Sequence, residues 1–424
     1  MTHEVLITGL GFITSIGNDS TAVTASLREG RHGMTAWDYC GNPAVHVKVA
    51  APVRDFTVDS PSWRDWMWPA RYDIPRETLR GLAPHGVYAF CAMEQALADA
   101  GLARTDITDG GTGLFCASAG SAFMLHHHLA RARASNFERG NPMGVVSSIA
   151  GTLNFNLAAH YGITGAVTGF VSACASSSHA LGYAIDEIRL GRQERMIIVG
   201  AEELNADTLL PFAPMRALST TPDPATASRP FDTARDGFVG TGGATVIIIE
   251  EASLARRRGA RVYAELIGWG QASDGYSVAT SHPEGAGLRE AMRRALRDAA
   301  VTSGQIDYVN AHATSTPVGD RAEAIALRTV FTEAGAHPVI SSTKGLTGHG
   351  LSMAGAMEAG FCALALQEGF TPGNPHLVNA DPACEGLNLP RQSGSVRPRL
   401  VLNNSSGFGG SNVCHVLRRA PSPL

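Results

Sequence analysis

Val5-Leu6-Ile7-Thr8-Gly9-Leu10-Gly11 opens the chain with a short apolar run, and its character returns at Ala264-Glu265-Leu266-Ile267-Gly268-Trp269-Gly270. Each run reads as a strand that ends in a glycine turn. A second pair of segments repeats in the same sense. Gly237-Phe238 leads through Gly242-Gly243 into Ile247-Ile248-Ile249, and Gly407-Phe408-Gly409-Gly410 leads into Cys414-His415-Val416-Leu417. Two halves that each begin and end on a strand are predicted, 1–255 and 256–424, joined through the charged, helix-prone stretch Glu250 to Arg261.

Between those ends, strand-like runs such as Arg195–Gly200 alternate with helix-like runs such as Gly285–Ala300, the pattern of an α/β protein with buried sheets. Val53 to Leu82 breaks the pattern. It carries Trp63, Trp66 and Trp68 among prolines and mixed charge, which predicts a surface excursion or lid.

Composition narrows the function classes. Hydrophobic residues make up 44% and charged residues 17% of 424, so a large core can be buried. The net charge of -4 offers no general attraction to nucleic acid or to an anionic membrane, and neither partner is expected. No run reaches the length of a membrane span, and the apolar opening lacks a basic leader. The seven cysteines are scattered, without CxxC spacing, which suits a reducing cytoplasm. His126-His127-His128 lacks the i, i+4 spacing of a helical metal site; a polar helix face or a dimer contact is expected there, and no metal.

Four polar segments carry chemistry. Ser172-Ala173-Cys174-Ala175-Ser176 places a cysteine among small residues ahead of the helical pattern Ala180–Leu190. At a helix N-terminus the unpaired N–H groups and the helix dipole favour thiolate, so a lowered pKa and a nucleophile are expected; a buried structural cysteine is the competing reading. Asn310-Ala311-His312-Ala313-Thr314-Ser315-Thr316 follows the strand candidate Ile306–Val309 and precedes the helix Arg321–Arg328. His312 therefore lies at the C-terminal end of a strand, where open α/β sheets bind ligands, although a histidine bonded to loop backbone reads equally well. Lys344-Gly345-Leu346-Thr347-Gly348-His349 puts a cation and an imidazole five apart in a Gly-rich loop after the strand Pro338–Ile340 and before the helix Ala354–Leu366. Such a loop can hold an anion or a carbonyl, with a phosphate loop as the alternative. Asn404-Ser405-Ser406-Gly407-Phe408-Gly409 is a turn that can aim a backbone N–H at an oxyanion, or an ordinary hairpin.

Taken together and in this order, the segments resemble those of the β-ketoacyl-[acyl-carrier-protein] synthases, nearest to the type I and II elongating enzymes of bacterial fatty acid synthesis. The likeness runs from ITGLGFITSIGN through SACASSSHA, RPFDTARDGFVGTGGATVIIIEE, NAHATSTPVGD and STKGLTGHG to SGFGGSN. It implies a duplicated thiolase fold, two βαβαβαββ halves in a five-layer αβαβα sandwich, usually a homodimer. It implies an acyltransferase that joins an enzyme-bound acyl thioester to malonyl carrier protein by decarboxylative Claisen condensation, for fatty acids or for a specialised polyene or polyketide.

The resemblance also assigns residues. Cys174 matches the nucleophile, and His312 and His349 match the pair that binds the malonyl thioester carbonyl. Lys344 and Glu323 match supporting charges, and Asp320 a structural partner in the His312 loop. The backbone N–H groups of Cys174 and Phe408 match an oxyanion hole, Phe408 doubling as a gate. Thr314, Thr316, Phe212, Met215, Ser406 and Phe408 are expected around the substrate, and Arg76 and Arg80 at the docking face for acyl carrier protein. No cofactor is expected beyond the phosphopantetheine that arrives on that carrier.

Some positions depart from the family pattern. Ala313 replaces a glycine after the first histidine, Ser406 a phenylalanine, and Arg216 interrupts a small-residue stretch beside the acyl pocket. Glu77 stands between Arg76 and Arg80, and the three tryptophans suggest either surface packing or a reshaped entrance that meets a partner. Other readings are a subunit like the chain-length factors, against which the retained cysteine and histidines speak; a biosynthetic thiolase, disfavoured by Ser406 and Phe408 near the last glycines; and a cysteine hydrolase. A heterodimer with a related subunit is compatible with the sequence.

Overall fold

The computed structural model describes residues 3–39 and 41–420. Cys40 therefore lies outside the described residues, and the other six cysteines are free thiols.

The first half runs β1 (Val5–Ile13), α1 (Pro84–Ala100), β2 (Thr112–Ala117), α2 (Thr152–Tyr161), β3 (Val167–Phe170), α3 (Ser176–Arg189), β4 (Arg195–Glu202) and β5 (Gly243–Glu251). The second runs β6 (Ala264–Ser273), α4 (Ala286–Asp298), β7 (Tyr308–Asn310), α5 (Pro317–Val330), β8 (Val339–Ser341), α6 (Ala354–Glu368), β9 (Leu400–Gly407) and β10 (Ser411–Arg419). The strands form one ten-stranded sheet in the order β8-β7-β9-β10-β6-β1-β5-β4-β2-β3. Adding five to each number on one side of the β1/β6 seam gives the other side. The senses repeat as well: the two pairings nearest the seam are antiparallel and the outer two parallel in each half.

At the seam β1 and β6 touch only over Leu6–Glu265 and Ile7–Ala264. The two half-sheets clasp α3 and α6, whose Leu181, Ile185, Met357 and Phe361 share a core with Ile7, Ile247, Leu266 and Leu417. Helix α6 is buried on every face, which its alanine-rich sequence permits. Outside, α1 and α2 cover the first half-sheet through Val87, Met93 and Leu157, and α4 and α5 cover the second through Leu288, Met292 and Leu327. Five layers result, helix, sheet, paired helices, sheet and helix, and the α/β duplicated architecture expected above is the one observed.

The glycines of the opening repeat act differently from expectation. Strand β1 does not stop at Gly9 but continues to Ile13. A Cβ on Gly11 would stand 1.9 Å from the Ala92 carbonyl oxygen of α1, and one on Gly270 would stand 2.4 Å from the Ala295 nitrogen of α4. The repeat therefore marks where an outer helix presses on a strand, a close approach that only glycine allows.

The excursion 53–82 is not a lid. Trp66 is 5% exposed and donates Nε1–H to the Ser60 carbonyl, while Trp68 donates to Tyr72 and packs with Trp63 against the core under α1. None of the three tryptophans lines the cavity described below. The entrance reading fails because the apolar faces of these rings are used inward. His126 and His128 lie on one helix (Ala122–Ala134) but reach apart, to Asp207 and to Ser147.

Candidate active site

Cys174 and His349 occupy the same connection in the two halves, Cys174 between β3 and α3 and His349 between β8 and α6. The duplication thus brings them to opposite sides of one cavity.

The cysteine is presented by a tight turn. Ala173 takes a left-handed φ of 50°, Ser172 N–H donates to Ser176 Oγ at 2.8 Å, and Cys174 is thrown forward two residues ahead of α3. Glycine 407 makes room for it. A Cβ there would stand 2.6 Å from the Ser172 carbonyl oxygen and 3.2 Å from the Cys174 backbone nitrogen. The β9–β10 turn thereby brings Phe408 and its backbone beside the cysteine.

The second half supplies both imidazoles. His349 follows a single helical turn, Lys344–Thr347, and its N–H donates to the Val239 carbonyl at 2.7 Å while its carbonyl accepts from Thr241 at 3.1 Å. The chain after Phe238 thus straps the histidine in place, with the Phe238 ring edge-on at 5.3 Å. His349 Nε2 lies 3.0 Å from Cys174 Sγ. His312 stands at right angles to His349, ring centres 5.4 Å apart, and the three potential ligand atoms lie within 4.8 Å of one another.

Carboxylates hold the frame. Glu323 accepts from the His312 and Ala313 N–H groups at 2.9 and 2.6 Å and from Asn404 Nδ2 at 3.0 Å, which locks the His312 loop to α5 and β9. Asp320 accepts from the N–H groups of Phe231, Ser315 and Thr316, with Arg235 beside it. Ala313 needs no left-handed backbone; Ser315, with φ 71°, takes that conformation instead. Lys344 is fully buried and pairs with Glu358 of α6.

Electrostatics corrects one expectation. Burial pushes the Cys174 thiol up to about 12, and the nearby Lys344 ammonium opposes this only in part. The helix dipole was expected to lower it, but α3 begins two residues beyond Cys174, and the protein packed around the half-buried residue disfavours its charged form. Burial, followed by the Lys344 charge, holds both His312 and His349 well below the ordinary imidazole range. A neutral thiol therefore faces two neutral imidazoles. Burial also raises Glu358 to about 7 against the pull of Lys344, and raises Glu323 and, to about 7, Asp320.

The cavity measures about 580 Å³ and is lined by Cys174, His312, His349 and Glu323 together with Thr314, Thr316, Phe212, Met215, Ser406 and Phe408. Every residue expected at the substrate is thus on its wall. Arg216 also lines it, in a left-handed conformation with φ 54°. Arg76 and Arg80 are exposed and do not line it. Sequence reasoning missed Glu358, whose only local sign is an acid within an apolar helix, and it gave no role to Asn404 or Phe238.

Comparison with known proteins agrees with this geometry. The family model for the N-terminal domain of β-ketoacyl synthases matches residues 2–255, and the C-terminal domain model matches residues 263–378. The 3-oxoacyl-[acyl-carrier-protein] synthase 1 of Haemophilus influenzae is 36% identical over 425 residues, covering 98% of this chain and 99% of that relative. The solved β-ketoacyl synthase from Burkholderia phymatum STM815 superposes with a TM-score of 0.90 at 33% identity, over 99% of this chain and 100% of that one. The ishigamide ketosynthase/chain length factor superposes with a TM-score of 0.88 at 29% identity, over 99% of this chain and 100% of that one. The chain belongs to the β-ketoacyl synthase family and is an acyltransferase of the condensing class.

Proposed function

We propose that this chain carries an acyl group on Cys174 and condenses it with malonyl carrier protein to give 3-oxoacyl carrier protein, CO2 and free enzyme. The observation that carries the reading is the 3.0 Å contact between Cys174 Sγ and His349 Nε2, with His312 beside it in one cavity.

In the loading step the thiol proton passes to His349 Nε2 as sulfur attacks the acyl thioester of the carrier. The backbone N–H groups of Cys174 and Phe408 receive the oxyanion, and the carrier leaves as a thiol after taking the proton back from His349. Both imidazoles are then neutral, His349 with its remaining proton on Nδ1; His312, and His349 after a proton shift to its other tautomer, donate Nε2–H. In the second step they bind the malonyl thioester oxygen, the C–CO2 bond breaks, and the electron pair rests on that oxygen as an enolate. The α-carbon attacks the acyl carbonyl on Cys174, and the sulfur departs as thiolate. Release of CO2 drives the sequence forward without an electron sink, so no cofactor beyond the carrier's phosphopantetheine is called for. Glu323 positions His312, Lys344 with Glu358 sets the local field, and Asp320 holds the loop.

The carrier brings a long arm ending in the thioester. Thr314 and Thr316 on the cavity wall suit its amides, Phe408 stands 39% exposed as a gate, and the guanidinium of Arg216 at the wall suits a phosphate. Arg76 and Arg80, separated by one turn on the surface, suit an acidic carrier face. Strand β3 ends the sheet with an exposed outer edge, and Val167 at its start and Val171 just after it are exposed. Such an edge calls for pairing, and a second copy of this fold, identical or related, fits it. A passive chain-length subunit is the weaker reading, since the nucleophile and both imidazoles stand in register. Six free thiols among the described residues suit the reducing cytoplasm.

The test is reconstitution. Purified protein offered a panel of acyl carrier thioesters with malonyl carrier should form 3-oxoacyl carrier products from a defined subset, whereas loading without condensation on every primer would overturn the reading.

A further inference from the structure

We propose that Cys174, His312 and His349 also form a capture site for a thiophilic divalent cation, with Zn2+ the best fit, and that capture switches the nucleophile off. The donor set is one thiol and two imidazoles, the ligand types that zinc prefers over magnesium or calcium. Among the described residues it is the one cluster of three or more His, Cys, Asp or Glu side chains whose donor atoms converge, all within 4.8 Å. In a tetrahedral zinc site with bonds of about 2.0 to 2.3 Å, ligand atoms stand roughly 3.3 to 3.8 Å apart. The 3.0 Å contact from Sγ to His349 Nε2 must open slightly and the longest separation close, shifts within the reach of side-chain rotation.

The fourth position faces the cavity of about 580 Å³, which leaves room for a water ligand and a path of entry. His312 and His349 are buried and held in the neutral form that binds metal. The exchange balances without redox chemistry: the aqueous ion gives up all but one of its water ligands for one sulfur and two nitrogen bonds, and the thiol proton leaves to solvent. The frame also limits affinity. The Nδ1 atoms of both rings are buried without a hydrogen-bond partner among the described residues, so the outer support usual for metal-bound histidines is missing. Lys344 nearby adds repulsion that Glu358 offsets. A reversible, inhibitory site follows, rather than a structural one. The inference needs only the three side chains, so its failure leaves the condensing reading untouched, and the converse holds.

Zinc chloride is titrated into chelator-stripped enzyme against a fluorescent zinc indicator, beside Cys174→Ser and His312→Ala variants checked for folding by circular dichroism. One ion per chain is expected, with affinity falling at least tenfold in each variant. Alkylation of Cys174 by iodoacetamide, followed by peptide mapping, should slow at least tenfold with one equivalent of zinc, recover with chelator, and ignore magnesium. Equal zinc affinity in wild type and Cys174→Ser, as binding at the His126-His127-His128 run would give, overturns the inference, as does an alkylation rate that zinc leaves unchanged.

Discussion

Cys174 Sγ and His349 Nε2 meet at 3.0 Å although 175 positions separate them in the chain. They meet because each half of a duplicated fold places its third strand-to-helix connection on the same cavity. The sulfur stands in that cavity as a thiol, and its proton has one evident acceptor.

His349→Ala should therefore slow acyl loading at least tenfold and abolish malonyl decarboxylation. His312→Ala should leave loading near normal and suppress decarboxylation alone. Intact-protein mass spectrometry of the loaded enzyme, with CO2 release measured in parallel, separates the two; equal loading in all three proteins would remove His349 from the first step.

Thiol reactivity follows from burial. With the Cys174 pKa raised to about 12, the thiolate fraction climbs about tenfold per pH unit across the whole range from pH 6 to 10. The rate of Cys174 alkylation should rise with that slope. A plateau reached below pH 8 would mean an ionised sulfur at neutrality.

Glu323→Gln exchanges an acceptor of three N–H groups for a side chain that carries two donors of its own. The His312 loop loses its anchor, and a displacement near 1 Å costs on the order of a hundredfold. Decarboxylation should fall by roughly ten- to a hundredfold while loading of Cys174 is preserved. Loss of both activities in step would point to general unfolding of the site.

Lys344→Met leaves Glu358 buried without the cation that favours its ionised form, so the carboxyl rises further, and where pH is high enough to ionise it the loss reaches about 3 to 5 kcal/mol in stability. The sign follows from the raised Glu358: its carboxyl is stable when protonated, so stability linked to it is present below the ordinary value of 4.5 and lost as pH rises through about 7. The denaturation midpoint of the variant should therefore approach wild type as pH falls toward 5. Adding Glu358→Leu should restore stability at pH 8 but not condensation.

Gly407→Ala puts a methyl 2.6 Å from the Ser172 carbonyl oxygen and forces the β9–β10 turn away from Cys174. Acyl loading should drop at least tenfold with little change in melting temperature, because the turn is at the surface end of the hairpin.

Much of this was legible in sequence because glycines and small polar runs recur at strand ends, and strand ends are where an α/β fold gathers its chemistry. The repeat at Gly11 and Gly270 revealed the duplication even though its physical cause, helix pressed on strand, shows only in three dimensions. The His312 and His349 loops were readable as strand-terminal segments, and their fit to Cys174 followed from family likeness. What local sequence does not contain is the environment that the other half imposes. Helix α3 suggested a thiolate, whereas the second half closes over a half-buried cysteine and favours the protonated form. Glu358 looks like an oddity in an apolar helix until Lys344, fourteen residues away, turns out to be buried against it. Trp66 and Trp68 read as a surface feature because nothing in their neighbourhood reveals the apolar core on which they pack.

The most direct test maps the acyl group. Wild-type enzyme incubated with one acyl carrier thioester, without malonyl carrier, should gain a single acyl mass, located by peptide mapping on Cys174, and lose it as 3-oxoacyl carrier product once malonyl carrier is added. An adduct on another cysteine, or product formed at the normal rate by Cys174→Ala, would contradict the account.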